Sequence, residues 1–359
     1  MLNLESIKKK QGKEQSDPVK NNEAFVVKPA SQWMREASTR PKQKKLFGSL
    51  FFEHEFCIAF SASNVGKSIL SVQIGDLISR GDSIYPLDNE TPPQKLLYFD
   101  FEMSDMQFFD RYSDANGWKQ FSDNFLRVEM TDDYDIPTAF KSEESFLLWK
   151  IEETIQKTGA KVVIIDNITY IAEDNEKGTK AKELMKALKQ MKKRLKISML
   201  IIAHTPKKDA FTALEPKNLA GSTHLMNFAD SVFAIGLGRN NERYIKQLKC
   251  RNGKINYGYD NVLTFDVEKD NEYLRFTFGE YSSETTLLSE LGGIDVKAVM
   301  SAHDSGSTIS EIAGIFNTYY NKIKRIIDKE EKKREEQAKQ VEEFQKFADN
   351  AARDEPLPF

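Results

Sequence analysis

The stretch at 61–70, SASNVGKSIL, constrains the fold of this chain more than any other. It follows an apolar, strand-like run at 56–60 and leads into a helix-like run at 69–78. A strand, a tight loop, Gly-Lys-Ser and a helix predict a phosphate-binding loop, because the backbone N–H groups and the helix dipole attract an anion. We expect Lys67 to contact the β- and γ-phosphates and the Ser68 hydroxyl to bind Mg²⁺. The predicted nucleotide-binding set is Ser61, Ala62, Ser63, Asn64, Val65, Gly66, Lys67, Ser68 and Ile69.

An ordinary strand–turn–helix connection is the alternative for this stretch. The usual pattern, G-x-x-x-x-G-K-[ST], begins with glycine, whereas Ser61 stands at that position here. Gly-Lys-Ser also occurs by chance, so the loop alone does not decide between the two interpretations. The other motifs of the chain have to show whether a nucleotide site surrounds it.

The composition narrows the classes of protein. With 359 residues the chain can form one large or two moderate domains, and its net charge of -3 gives no overall basic field for nucleic acid. Cys57 and Cys250 lie in apolar strand-like runs, which argues for buried thiols rather than a disulfide or a metal pair. The histidines show no zinc-binding spacing. No apolar run is long enough to span a membrane and the N-terminus lacks the apolar core of a signal peptide, so we expect a cytoplasmic protein without membrane contact.

Apolar strand-like runs alternate with helical periodicity from residue 50 onward, which predicts a mostly parallel sheet flanked by helices. The predicted strands are 56–60, 95–103, 125–130, 162–166, 198–203, 231–236, 243–250, 262–267 and 273–278, the last two as an antiparallel hairpin. The main predicted helices are 69–78, 105–116, 140–157 and 180–195. In such folds ligands bind at the carboxyl ends of the strands.

Two of the predicted strands end in carboxylates. The run 162–166 has aliphatic residues followed by an acid, a Walker B pattern in which Asp166 would bind Mg²⁺ directly or through water. Asn167 follows, where many nucleotide hydrolases have a catalytic glutamate. The catalytic carboxylate must then come from elsewhere, and Glu102, at the end of the strand expected beside it, is the candidate that orients the attacking water. A solvated residue at a strand end is the alternative for Glu102.

The next buried strand ends at His204 and leads into a long loop at 206–219. At this position His204 can sense the γ-phosphate, although a lone histidine more often has a structural role. Long loops inside compact domains are commonly functional. In a ring this loop would face the central channel, where Lys207, Lys208 and Lys217 could follow the phosphates of single-stranded DNA.

The run Lys-Cys-Arg-Asn-Gly at 249–253 ends another predicted strand. A solvated hairpin turn is one interpretation. The functional interpretation is that Lys249 and Arg251 reach across a subunit interface. There they would stabilise the charge on the transferring phosphoryl group, as arginine fingers do.

In their order along the chain these motifs resemble those of RecA-type ATPases, and in particular those of the DnaB-like and RepA-like branch of hexameric helicases. The resemblance covers about residues 45–280 and includes a strand ending in Glu102-Met103 and the run at 249–253. It implies an α/β, RecA-like P-loop NTPase fold that binds ATP and Mg²⁺ and assembles into a hexameric ring. The implied catalytic residues are Glu102, Lys67, His204, Arg251 and Lys249, the last two acting in trans, and the implied metal ligands are Ser68 and Asp166.

Two departures from that branch stand out. Ala220 replaces the arginine that commonly precedes Gly221-Ser222 in the branch, so no role of that arginine can be assigned here. The polar N-terminal arm is also too short to form a primase-interacting domain. The chain therefore resembles the compact ATPases of plasmids, phages and mobile elements more than a chromosomal replicative helicase.

A small all-α module is predicted at 283–328, after an ATPase domain at 45–282. Ala313, Asn317 and Ile323 supply the small crossing residue, the turn residue and the locking aliphatic residue of a helix-turn-helix. The second helix of this motif, which lies within 307–328, would place a set of exposed side chains against duplex DNA. That set is Tyr319, Tyr320, Lys322, Lys324 and Arg325. A helical bundle that packs against protein is the alternative.

The two ends of the chain are predicted to be polar segments outside the folded domains. Residues 1–44 are expected to form a flexible arm with a short amphipathic linker helix that ends at Pro41, and residues 329–359 a charged helical tail.

Two functions of different classes remain open at this point. The first is a ring-forming motor that hydrolyses ATP and moves or remodels DNA. The second is an ATP-switched DNA-binding, regulatory or loader module with slow hydrolysis and no unwinding. A nucleotide kinase is disfavoured, because the sequence lacks a lid-like arginine cluster.

Overall fold

The computed structural model describes residues 25–131, 133–171, 178–205, 211–218, 222–270, 273–288, 294 and 296–351. They divide into two units, with the boundary between Lys42 and Gln43. The described part of the first unit contains helix α1 (Ala30–Ser38), which ends before Pro41 as the sequence predicts. Lys28, which precedes the helix, forms an ion pair of 2.8 Å with Glu36 on it. The predicted arm lies mostly outside the described residues.

The second unit alternates strands and helices. Its helices are α2 (Lys67–Arg80), α3 (Asp105–Arg111), α4 (Glu143–Thr158), α5 (Gly178–Leu195), α6 (Ser222–Phe228), α7 (Glu284–Leu288), α8 (Val296–Asp304), α9 (Ile309–Ile315) and α10 (Tyr320–Ala351). Short 3₁₀ turns cover Ile168–Tyr170 and Pro216–Asn218. None of the helices in the described ranges combines the length and apolarity that crossing a membrane requires.

The strands form one large sheet and two small ones. The strands are β1 (Lys45–Phe47), β2 (Phe51–Phe52), β3 (Phe56–Ser61), β4 (Leu96–Asp100), β5 (Ser113–Asp114), β6 (Gly117–Trp118), β7 (Phe125–Val128), β8 (Val162–Asp166), β9 (Ser198–His204), β10 (Ser231–Leu237), β11 (Arg243–Cys250), β12 (Val262–Asp270) and β13 (Tyr273–Ser282). The nine-stranded sheet has the order β13-β12-β11-β10-β3-β9-β8-β4-β7. Strands β10 to β7 of that order are parallel, and β11, β12 and β13 extend the sheet as antiparallel strands. This large, mostly parallel sheet with its helices confirms the predicted α/β class.

The parallel strands are buried on both faces. In β8, Val163 and Ile165 belong to the core that packs against α4 and α5, whereas Val162 and Ile164 belong to the core that packs against α2. Burial of one such side chain contributes about 1.5–3 kcal/mol. Two covered faces therefore explain why these strands read as continuous aliphatic runs rather than as alternating patterns.

The register of the parallel strands brings polar strand ends together at one edge of the sheet. Ser61 of β3 pairs with His204 of β9, and Asp100 of β4 pairs with Asp166 of β8. Strand β8 lies between β9 and β4. The carboxyl ends of four adjacent strands therefore meet where an α/β sheet binds ligands.

Helix α3 is shorter than predicted, because a tight hairpin replaces its expected last turn. It ends at Arg111 rather than at Asn116, and β5 and β6 follow directly. Asp114 Oδ1 accepts hydrogen bonds from the amides of Asn116 at 2.7 Å and of Gly117 at 3.2 Å. This side-chain turn competes with helix continuation, and Gly117 supplies the φ of +154° that the hairpin needs.

Helices α8, α9 and α10 pack around a small core of their own, with Ile312, Ile323 and Ile326 among its residues. Ala313 is buried, and Asn317 adopts a φ of +47° in the turn between α9 and α10. These positions have the geometry that the sequence pattern requires. Whether the module is a DNA-binding helix-turn-helix stays a prediction.

Two cations of this module are not exposed, contrary to the sequence-based expectation. Lys322 Nζ lies 3.4 Å from a carboxylate oxygen of Glu280, and Arg325 forms an ion pair with Asp266. The expectation was wrong because α10 lays this face against the β12–β13 hairpin, whose acidic side chains neutralise it. Tyr319, Tyr320 and Lys324 remain exposed, as predicted.

A buried ion pair joins the antiparallel part of the sheet to helix α7. Glu284, which is 0% exposed, pairs with Lys246 and accepts a hydrogen bond from the Tyr244 hydroxyl at 3.0 Å. The same pair holds the backbone of Leu214, whose amide donates to Glu284 at 2.8 Å and whose carbonyl accepts from Lys246 at 2.8 Å. Both carboxylate oxygens of Glu284 and two donors of Lys246 thus have partners, which offsets part of the cost of burying the ion pair.

The buried carboxyl group of Glu55 predicts a pH dependence of stability. It accepts hydrogen bonds from the Ser231 hydroxyl and the Asn252 amide, both at 2.8 Å, and burial raises its pKa from 4.5 to about 7. The folded state then holds the proton more tightly than the unfolded state, so stability falls as pH rises from 4.5 to 7. Between pH 4.5 and pH 7 we expect the titration of this group to lower the free energy of unfolding by about 3 kcal/mol. Urea denaturation at the two pH values measures the difference.

Glu55→Gln should reduce this pH dependence, because its amide cannot titrate. Glu53→Gln, in the same turn, is the matched control and should keep the wild-type profile. An unchanged pH profile in Glu55→Gln would show that the group titrates as in the unfolded chain.

Candidate active site

The loop between β3 and α2 has the backbone of an anion-binding turn. Asn64 adopts a φ of +62° and Gly66 a φ of +108°, and α2 begins at Lys67. A Cβ atom added to Gly66 would lie 2.9 Å from the Phe276 ring. Only glycine therefore fits this position without strain. The turn presents the N-terminus of a long helix to the polar edge of the sheet.

Lys67 is buried beneath the loop. Only 6% of the residue is exposed, and Nζ donates hydrogen bonds to the carbonyls of Ser61 at 3.3 Å and Ala62 at 2.9 Å. Burial lowers the pKa of Lys67, and the nearby Asp166 and Glu102 oppose that change. The site therefore holds a desolvated ammonium group whose present partners are only carbonyl oxygens, which suits a lysine that binds phosphate.

Ser61, the departure from the usual glycine, is accommodated by the loop. Its side chain is fully buried and its hydroxyl donates to the carbonyl of Ala62 at 2.8 Å. The hydroxyl thus finds a partner inside the loop, so the serine does not disturb the turn.

A cleft of about 440 Å³ opens above the loop. Its walls come from the loop, from the start of α2, from the turn after β4, from the end of α3 and from the end of β9. The lining residues are Ser63, Asn64, Gly66, Lys67, Ser68, Ile69, Glu102, Arg111 and His204. The predicted catalytic carboxylate and the predicted sensor thus share one cleft with most of the predicted phosphate loop.

Glu102, Asn167 and His204 form a hydrogen-bonded group in this cleft. Glu102 Oε1 lies 3.1 Å from His204 Nε2 and also accepts a hydrogen bond from the Asn167 side-chain amide. Asn167 Nδ2 lies 2.8 Å from His204 Nε2. The hydrogen bond from His204 holds the pKa of Glu102 below its ordinary value, burial opposes this, and Lys67 lowers it further. The carboxylate is therefore ionised and oriented, as a group that aligns a water molecule must be.

Asp166 lies at the end of β8 and is almost fully buried. Its Oδ2 accepts a hydrogen bond from the Tyr98 hydroxyl at 2.8 Å, while Oδ1 is buried without a well-formed hydrogen bond. Burial raises the pKa of Asp166 to about 6, although its contacts with Tyr98 and Ser68 oppose the change. This carboxylate is held in place on one side and has an unused oxygen on the other.

An unpartnered carboxylate oxygen beside a serine hydroxyl fits the oxygen ligands that Mg²⁺ prefers. In the described part of the chain no group of three or more His, Cys, Asp or Glu side chains is arranged to hold a metal without further ligands. Ser68 and Asp166 would therefore hold Mg²⁺ together with phosphate oxygens and water. The ion would neutralise charge on the phosphates.

Lys249 and Arg251 lie at the opposite edge of the sheet. Cys250, between them, pairs with Ser231, which in turn pairs with Cys57 near the start of β3. The phosphate loop follows the other end of β3, about 13 Å further along the strand. Lys249 Nζ donates to the carbonyl of Met226 at 2.6 Å, and Arg251 pairs with Asp230 at 3.1 Å. Neither cation reaches the cleft of its own chain.

The loop predicted to contact DNA is described only from residue 211 to 218. Lys207, Lys208 and the Gly221 position lie outside the described residues. Lys217 is exposed and pairs with Glu215, and Phe211 lies against the Arg239 guanidinium at 5.0 Å. The DNA-binding role of this loop stays a prediction.

Arg111 is a cleft residue that sequence reasoning missed. It lies at the end of α3 and lines the cleft beside Glu102 and Lys67. Its only signal in the sequence is one cation in a short helix after Glu102. A guanidinium in a phosphate-sized cleft suits contact with nucleotide phosphate.

The glycine turn, the buried lysine and the two carboxylate-ended strands define a nucleotide-binding site of the P-loop class. A family model described as the AAA domain matches residues 22–210, which is more than half of the chain. The chain belongs to the AAA domain family and is an ATPase of the P-loop type. The matched segment includes the loop, Glu102, Asp166 and His204. No curated protein matches the chain at a significant level.

Proposed function

We propose that this chain is an ATP-hydrolysing, RecA-like motor that acts on DNA as a ring-forming helicase or remodelling ATPase of a plasmid, phage or mobile element. The observation that carries the proposal is the separation of two sets of charges. Glu102 and Lys67 lie in the cleft, whereas Lys249 and Arg251 lie at the opposite edge of the same sheet. On this proposal, Lys249 and Arg251 complete the site of a second copy, in a head-to-tail arrangement that closes into a ring.

The residues of the cleft have separate tasks in hydrolysis. Lys67 and the loop amides bind and orient the phosphates of ATP, and Arg111 adds positive charge at the rim of the cleft. Glu102 orients the attacking water, and Asn167 and His204 hold its carboxylate. His204 follows the γ-phosphate because it lies in register with Ser61 at the start of the loop. The chain continues from His204 into the loop at 206–219. This loop would transmit the presence or absence of the γ-phosphate to bound DNA.

Strand displacement tests this proposal most directly. We expect the protein to unwind a forked DNA duplex with a labelled strand in the presence of ATP and Mg²⁺, and Lys67→Ala to be inactive. ATP turnover without any displacement, together with ATP-dependent DNA binding, would reject the motor and support the second candidate.

The second candidate is an ATP-switched DNA-binding, regulatory or loader module. The geometry of Ala313, Asn317 and Ile323 favours it, since it is compatible with a helix-turn-helix at α9 and α10. The ion pairs of Lys322 and Arg325 weaken it, because they leave Lys324 and the two tyrosines as the exposed polar set. The motor is therefore the preferred function.

Arg251→Ala should abolish most ATP turnover while leaving ATP binding intact, because the cation acts in a neighbour's site. Mixing this variant with Lys67→Ala should restore activity, since each contributes the half that the other lacks. For random mixing in equal amounts we expect about a quarter of the wild-type turnover, measured as phosphate release. Lys254→Ala, in the same exposed turn, is the matched control and should be fully active.

Two results would contradict the action in trans. One is unchanged turnover of Arg251→Ala at saturating protein concentration. The other is a mixture with Lys67→Ala that is no more active than either variant by itself.

A further inference from the structure

The turn after β4 is held by a buried carboxylate. Asp100 ends β4 and is 2% exposed. Its Oδ1 accepts hydrogen bonds from the amides of Glu102 at 3.2 Å and Met103 at 3.0 Å. The backbone that carries Glu102 is therefore fixed by one side chain, two residues before it.

Arg127, on the neighbouring strand β7, holds that carboxylate. Its Nε donates to Asp100 Oδ2 at 2.9 Å, and its Nη2 donates to the carbonyl of Met103. The guanidinium also lies 5.0 Å from the centre of the Phe108 ring on α3. One side chain thus connects β7 to both ends of the Glu102 turn and to the helix that carries Arg111.

The chemistry of this connection suits arginine. A planar guanidinium carries donors on separate nitrogens at fixed positions, so Nε and Nη2 reach two different acceptors, whereas an ammonium group donates from a single nitrogen. Arg127 is not among the residues that line the phosphate cleft. Arg127 can therefore affect catalysis only indirectly, through the turn that carries Glu102 or through its contact with α3.

We propose that Asp100 and Arg127 are positioning residues that set the orientation of Glu102 toward the water molecule it aligns. The inference rests on the proposed catalytic role of Glu102. Nucleotide binding depends mainly on the phosphate loop, which the pair does not contact. The pair therefore affects the rate of hydrolysis, whereas the affinity for nucleotide depends on the phosphate loop.

Arg127→Lys is the first test, with phosphate release and binding of a fluorescent ATP analogue as readouts. We expect kcat to fall about 10- to 100-fold, because a displacement of about 1 Å has effects of this size. The analogue should bind within about threefold of the wild-type affinity. Glu129→Gln, which removes only the negative charge of the solvent-side partner that lies 2.8 Å from Arg127, should keep the wild-type kcat. A parallel loss of turnover and affinity, or an unchanged kcat, would overturn the proposal.

A double-mutant cycle with Glu102→Gln separates positioning from a general structural effect. If Arg127 acts through Glu102, Arg127→Lys should add less than about a twofold loss in the Glu102→Gln background, measured by single-turnover phosphate release. A full additional loss would overturn the proposal. Asp100→Asn, which keeps an acceptor for the two amides, should show the same pattern.

The outcome for Glu102→Gln by itself distinguishes the catalytic role of Glu102 from the positioning role of Asp100 and Arg127. A fully active Glu102→Gln would reject the catalytic role of Glu102 and with it the function assigned to this pair. An inactive Glu102→Gln beside a fully active Arg127→Lys would reject the positioning role and leave the catalytic role intact.

Discussion

Glu102→Gln should lower the rate of ATP hydrolysis by about 10²- to 10⁴-fold while ATP still binds. Glutamine keeps the length and one acceptor oxygen of the side chain, but it lacks the negative charge that draws a proton from water. Because His204 holds the pKa of Glu102 low, the wild-type carboxylate is ionised across the neutral pH range. The loss should therefore appear in kcat, measured as steady-state phosphate release, with little change in the affinity for a fluorescent ATP analogue.

Asp105→Asn is the control for Glu102→Gln. It removes an exposed carboxylate from the first turn of α3, close in sequence but not among the residues that line the cleft. This variant should keep the wild-type rate. If Glu102→Gln hydrolysed ATP normally, another group would have to orient the water, and the Glu102–Asn167–His204 group would have a structural role.

Lys67→Ala should abolish both ATP turnover and the stabilisation of the protein by ATP. The ammonium group is desolvated in the cleft and bonded only to the carbonyls of Ser61 and Ala62, so phosphate is a stronger partner than its present ones. Its removal takes away a positive charge that interacts with both Asp166 and Glu102. We expect turnover to fall by at least about 10³-fold, the scale at which a lost electrostatic contact in the transition state acts.

Thermal unfolding with and without ATP gives the second readout. A ligand stabilises the folded state according to its concentration relative to Kd, and a ligand present at about 100 times its Kd adds about 2.7 kcal/mol. The rise in Tm with ATP and Mg²⁺ should be present in the wild type and absent in Lys67→Ala. Lys95→Ala, an exposed cation at the amino end of β4, should respond to ATP as the wild type does. A normal ATP response in Lys67→Ala would exclude this loop as the binding site.

The sequence was sufficient to predict the sheet and the polar strand ends. The aliphatic runs before Asp166 and His204 must be buried on both faces, and such strands place their next residues at one edge. Asp166 and His204 are therefore where the pattern predicts them. The pairing of Asp100 with Asp166 also confirms that the strand leading to Glu102 lies beside the strand that ends in Asp166.

The missed residues share a physical reason. The position of Arg127 depends on a contact between segments that are distant in sequence, and the position of Arg111 depends on an unexpected turn. Arg127 reaches Asp100 across neighbouring strands, and α3 ends at Arg111 because Asp114 and Gly117 form a hairpin there. Periodicity records which side chains are buried, but not which polar groups find each other.

The cations of α10 illustrate the opposite error. Lys322 and Arg325 stand on a charged helix and were expected to be exposed. They are neutralised by Glu280 and Asp266, because the helix packs on an acidic hairpin. A charged helical face is solvated only if no complementary surface covers it, and the sequence does not reveal such a surface.

The Glu284–Lys246 pair has a consequence for how this chain can be divided. A fragment that ended with the last strand of the sheet, at Ser282, would lack the carboxylate that neutralises Lys246 and holds the backbone of Leu214. Lys246 would then lose its counter-charge, and the loss of one partner of a buried ion pair costs about 3–5 kcal/mol where the other partner stays buried. A fragment extended through Leu288 retains the pair. The first helix after the sheet therefore belongs, in energetic terms, to the ATPase unit that precedes it.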